Sequence, residues 1–108
     1  MRKELTADKN DWISWNNTLF QKGDILIIHQ RVVVEPHPQY PNRKDTGKVL
    51  AEPEDELIVM GADCIGCFVR NKSHPERNFE VPANCPKGDE WMYDCWLCMN
   101  VSATLVRE

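Results

Sequence analysis

Hydrophobic positions along the chain follow two different periods. In residues 6–20, TADKNDWISWNNTLF, the apolar side chains Trp12, Trp15, Leu19 and Phe20 fall at i, i+3, i+7 and i+8. That spacing predicts a short helix with one apolar face, capped by Thr6 or Asp8 and packed on a core. From residue 22 onward the period changes to two. KGDILIIHQRVVV, Lys22–Val34, opens on a Gly-Asp turn and is rich in β-branched residues, so it predicts a strand bent near His29–Arg31. GKVLA after Gly47 and ELIVMG from Glu56 predict two more strands. Gly61-Ala62-Asp63 predicts a turn and CIGCFVRN a returning strand, which together make a hairpin over 57–69. The longest regular pattern closes the chain. Trp91, Tyr93, Cys95, Leu97, Met99, Val101, Ala103 and Leu105 are all apolar at period two, which predicts one half-buried antiparallel strand over 91–106.

Two long segments interrupt this pattern. EPHPQYPNRKDTG, Glu35–Gly47, carries three prolines that remove ladder donors, and it presents His37, Tyr40, Arg43 and Lys44. A connector of this length in a small domain is often functional. Residues 71–90 are polar and contain Pro75, Pro82 and Pro86, with a brief strand expected at Phe79–Val81. Between the strands, Glu52, Glu54, Asp55 and Glu56 form an acidic stretch interrupted by Pro53, which reads as a solvated turn.

One helix followed by about five strands, without helix–strand alternation, predicts a mainly β fold: a small curved antiparallel sheet or an open barrel. KGD before the first long strand and GKV before the second resemble the SH3-like small barrels. The resemblance covers five or six residues of common turn chemistry. It implies an open barrel and carries no function.

The chain has 108 residues, which fits a single domain over 1–108, with 42% hydrophobic and 28% charged residues. Its net charge of −4 is unevenly spread: residues 1–50 carry +2 and residues 51–108 carry −6. An acidic chain is repelled by phosphate backbones, so non-specific nucleic-acid binding is disfavoured. The first residues, MRKELTADKNDW, contain no apolar segment of the signal-peptide kind, and no run is long enough to span a bilayer. An intracellular, cytoplasmic location with reduced thiols is the expectation.

Chemistry concentrates in the cysteines. Cys64/Cys67 and Cys95/Cys98 form two Cys-x-x-Cys pairs, the ligand count and pairing of a structural zinc site. The 27 residues between the pairs exceed the usual spacing, and a long loop accommodates that. Against zinc, an unbroken strand turns Cys95 and Cys98 to opposite faces, so the site requires a break at Trp96–Leu97. Cys85, beside Pro86, is the substitute ligand, and His74 lies in the same loop. Buried inert thiols are the second reading. Thiol redox chemistry is the third, although neither pair sits at a helix N-terminus in a βαβ setting. His29 lies among apolar neighbours and reads as a hydrogen-bonded core or edge histidine.

No phosphate-loop, dinucleotide, serine-hydrolase or zinc-protease motif occurs. The expectation is therefore a non-catalytic protein-binding module, a small regulator or inhibitor of a larger host complex, a viral protein among the candidates. A structural zinc would clip the hairpin to the last strand. The partner would meet His37, Tyr40, Arg43 and Lys44 of the first loop, with Lys72, His74 and Arg77 as the alternative surface. The rival readings are a nucleic-acid-binding module using the basic loops and a thiol redox protein.

Overall fold

The computed structural model describes residues 1–8, 20–34, 47–63, 66–88, 93–98 and 101–108, without the side chains of residues 63 and 98. Eight strands occur among them: β1 (Arg2–Leu5), β2 (Ile25–Ile28), β3 (Val32–Val33), β4 (Val49–Ala51), β5 (Glu56–Asp63), β6 (Gly66–Asn71), β7 (Cys95–Cys98) and β8 (Ala103–Val106). Six of them form one antiparallel sheet in the order β1-β8-β2-β5-β6-β7, and β3 and β4 pair as a separate ribbon. The protein is mainly β. Most of the expected helix over 6–20 lies outside the described residues; Thr6, Ala7, Asp8 and Phe20, which are described, are not helical. No described helix is long and apolar enough to cross a membrane.

Period two decides which face of each strand is buried. Leu26 and Ile28 of β2, Leu57 and Val59 of β5, Cys67 and Val69 of β6, Cys95 and Leu97 of β7, and Ala103 and Leu105 of β8 all point inward. Leu5 of β1, Val32 and Val34 around β3, and Leu50 and Ala51 of β4 join the same core. The ribbon therefore covers part of the sheet's inner face. Backbone hydrogen bonds from Val34 to the Lys48 carbonyl and from Gly47 to the Val34 carbonyl extend it, at 2.8 and 2.9 Å. They pin the base of the proline-rich segment, whose residues 35–46 lie outside the described ones.

The strand expected over 91–106 is two strands at distant places in the sheet. β7 ends the sheet beside β6, whereas β8 lies between β1 and β2. The apolar alternation continues through both because each turns its odd-numbered positions inward. In a flat sheet, four interstrand spacings would separate them by ~19 Å. The five Cα steps from Cys98 to Ala103 reach ~18 Å at full stretch. The sheet must bend, and bending lets both ends share one core. Three further expectations change. β5 continues through 61–63 to Asp63, after a register shift between Val59 and Gly61. Phe79–Val81 forms no strand. The strand expected over 22–34 leaves the main sheet after Ile28, at the expected bend.

β1 escaped the pattern because RKEL shows no alternation; only Leu5 is buried. It pairs with β8 from Arg2↔Val106 to Leu5↔Ala103.

Gly66 shows why β6 and β7 approach so closely. A Cβ there would run into the Leu97 carbonyl oxygen, a backbone atom. At Gly61, in the partner strand β5, nothing lies within 4 Å. Gly66→Ala is expected to lower the urea-unfolding free energy by about 2 kcal/mol or more, and Gly61→Ala to change it by less than about 0.5 kcal/mol. Equal effects would refute this packing.

Candidate functional site

The acidic stretch after β4 is only partly a solvated turn. Glu52 and Glu54 lie in the turn, with Arg31 Nε 2.8 Å from Glu52 Oε1, and Glu56 is exposed but opens β5. Asp55 is not solvated, since only 6% of it is exposed. Its carboxylate accepts hydrogen bonds from the Glu52 backbone N–H at 3.0 Å and the Asn71 amide at 3.1 Å. His74 Nε2 and Arg77 Nη1 lie 3.3 and 3.5 Å away. Burial alone would raise the Asp55 carboxyl pKa. The hydrogen bonds from Glu52 and Asn71 and the charges of His74 and Arg77 outweigh burial and hold it below the ordinary carboxylate value.

Asn71, at the end of β6, completes this network from the core side. Its amide also donates to the Leu50 carbonyl at 2.9 Å, and its side-chain oxygen accepts from the His74 backbone N–H at 2.7 Å. Asn78 returns two bonds: its side-chain oxygen accepts from the Asn71 N–H at 2.6 Å, and its amide donates to the Asn71 carbonyl at 3.1 Å. Pro75–Arg77 forms a 3₁₀ turn within this loop. The sequence places Asn71 at the start of a polar segment. The signal that locates it is the inward series Cys67, Val69, Asn71.

These contacts change the basic surface expected on residues 70–77. Arg70 Nε meets the buried Asp94 carboxylate, and His74 and Arg77 face Asp55. Lys72 is exposed and makes no ion pair among the described residues. Lys48 lies 5.6 Å from the centre of the Phe79 ring. Of the first-loop candidates, His37, Tyr40, Arg43 and Lys44 lie outside the described residues, as do Trp12 and Trp15.

Lys72 instead borders an open cleft of about 400 Å³ on the outer face of the sheet. The floor is Val106, Ile25 and Ile58, aligned on three adjacent strands by the pairings Ile25↔Val106 and Ile25↔Ile58. All three are half-buried. The row ends in Arg2, paired with Val106, and Arg70, paired with Ile58. The walls include the turn before β2, with Lys22 and Gly23, and the residues after β8. Gly23, at φ +96°, allows that turn. Asp24, almost fully buried, binds Arg107 through two hydrogen bonds of 2.9 and 2.7 Å and accepts a third from the Gln21 N–H. Burial would raise its pKa too, but the Arg107 and Gln21 bonds hold it low. Lys22, like Lys72, makes no ion pair among the described residues.

The cysteines are placed by the β6–β7 ladder. Cys67 pairs with Leu97 and Cys95 with Val69, so both thiols sit in the core on neighbouring strands. β7 runs without a break through Trp96 and Leu97 to Cys98, which pairs with Gly66. The interruption that a four-cysteine zinc shell required is not there. Cys64 and the Cys98 side chain lie outside the described residues. Cys85 is half-buried, its sulfur 3.6 Å from the Pro86 carbonyl oxygen. No group of three or more metal-ligating side chains occurs among the described residues.

His29 forms a hydrogen-bonded clamp at the edge of the sheet. Thr104 donates to the Glu4 carboxylate at 2.8 Å and lies 2.7 Å from His29 Nε2, while Glu54 lies 3.4 Å from Nδ1. The order Glu54–His29–Thr104 resembles an acid–base–nucleophile chain. Thr104 has one hydroxyl proton, and the Glu4 carboxylate, which can only accept, competes with His29 for it.

Asp24 and Asp55 both have depressed pKa values in the folded state. The stability they contribute is present above the unfolded value near 3.9 and is lost as pH falls through their folded values. Urea midpoints measured from pH 7 to pH 2 should therefore fall below about pH 4. Asp55→Asn should cost about 2 kcal/mol at pH 7 and flatten that fall. An unchanged acid profile in the mutant would show that Asp55 carries no such linkage.

Comparison with protein-family models, curated proteins and solved structures finds no match.

Proposed function

We propose that the chain is a non-catalytic protein-binding module, a small intracellular regulator or inhibitor formed by one domain over residues 1–108. In this reading the bent sheet is an open, SH3-like barrel, with a helix within 6–20 packed across it. The observation that carries the proposal is the outer-face cleft. It has a three-strand aliphatic floor bordered by Lys22 and Lys72, and neither lysine meets an acid among the described residues. Three half-buried aliphatic side chains between two lysines that meet no acid among the described residues offer a partner both apolar and charged contacts. Its volume falls within the range of ordinary ligand sites. Tyr40 and Arg43 are of the types that most often dominate interface energies, and they supply a second contact in this reading. The reading does not need zinc.

Affinity capture from the native source, read by mass spectrometry, tests it. Lys22→Glu with Lys72→Glu is expected to lose the captured protein at an unchanged melting temperature. Tyr40→Ala with Arg43→Ala should weaken capture at least tenfold, about 1.4 kcal/mol. Full capture by both double mutants would end the proposal.

A further inference from the structure

We infer that the cleft takes an extended acidic segment of a partner protein, with a central aliphatic side chain between two carboxylates; this rests on the binding-module reading above. The chemistry follows from what borders the floor. β2 and β5 are antiparallel, and so are β5 and β6. Lys22 precedes the start of β2, and Lys72 follows the end of β6. The two ammonium groups therefore approach the Val106–Ile25–Ile58 row from opposite directions along the strands.

Asp24 is neutralised by Arg107, and Glu108 is the other carboxylate bordering the cleft. Against Lys22 and Lys72 that leaves one net positive charge among the side chains bordering the cleft, on a protein whose total is −4. An aliphatic group has the floor to cover. Acids on either side of it have one lysine each. Counted in strand register, Lys22 lies three residues before Ile25 and Lys72 falls at the level of Ile27, two residues beyond it, so a peptide that reaches both runs along the strands and lays its central side chain on the floor. In an extended peptide, alternate side chains share one face, so an acid–aliphatic–acid series at every second residue presents all three groups to the protein at once.

The probe is a five-residue peptide, blocked at both ends, with glutamate first and last, leucine in the centre and threonine between them. Its control has glutamine in place of glutamate. Titrated into ¹⁵N-labelled protein, the acidic peptide is expected to shift the amides of Lys22–Ile27, Ile58, Lys72 and Arg107. It should bind at least tenfold more tightly than the control and weaken as salt rises. Lys22→Glu with Lys72→Glu should abolish the shifts. Lys22→Gln with Lys72→Gln, which adds no negative charge, should weaken them at least tenfold.

Equal binding of the two peptides, shifts elsewhere, or none at about 5 mM, an affinity worth only about 3 kcal/mol, would overturn the inference. Acetylation footprinting of the captured complex separates that failure from failure of the broader reading. If the partner protects Lys22 and Lys72 while the acidic peptide does not bind, only the partner's chemistry is wrong. If the partner leaves both lysines open to acetylation, the cleft is not the docking surface and both readings fall.

Discussion

The Asn71 side chain joins parts of the protein that no run of backbone pairing connects. It stands at the end of β6, facing inward, and its amide holds both the Leu50 carbonyl of β4 and the Asp55 carboxylate. Its oxygen holds the first turn of the following loop. A buried amide is costly unless its donors and acceptor all find partners, and here each does. The network ties the two-stranded ribbon to the six-stranded sheet at one corner. It also closes the inner face where the aliphatic series Cys67–Val69 stops.

That constraint determines which charges remain for a partner. Asp55 is buried, so it needs donors, and the loop from 72 to 78 provides them through His74 and Arg77. Two residues that look like parts of a basic surface in the sequence therefore face a carboxylate of the protein itself. Lys72 turns away from the network to the outer face, beside Ile58. The same division occurs at the other end of the strands, where Arg107 is held by Asp24 and Lys22 is left exposed. Each time, the planar guanidinium pairs with the buried carboxylate and the ammonium remains in solvent, as their geometries favour.

The alternation of apolar and polar residues made the sheet legible. It located the β5–β6 hairpin and the inward positions of the last two strands. It did not show where the final run is cut, because β7 and β8 keep the same parity across the junction while pairing with different neighbours. β1 was illegible for the opposite reason, since a short edge strand with one buried residue leaves no periodic signal. At the candidate site, the basic residues were visible but their partners were not. An ion pair such as Arg107–Asp24 spans 83 positions and arises only when β8 lies beside β2. The cleft floor was hidden as well. Ile25 and Ile58 read as ordinary strand residues until the register aligned them with Val106. In CIGC, the glycine has its explanation in the approach of Leu97.

The most direct test of this account is a double-mutant cycle on the buried pair, using Asp55→Ala and Asn71→Ala with stability measured in urea at pH 7. If the two side chains depend on each other, the cycle should give a coupling energy of about 1–3 kcal/mol, with the double mutant losing less than the sum of the singles. Losses that add within about 0.3 kcal/mol would mean that the two side chains act independently, which contradicts the network at the centre of this structure.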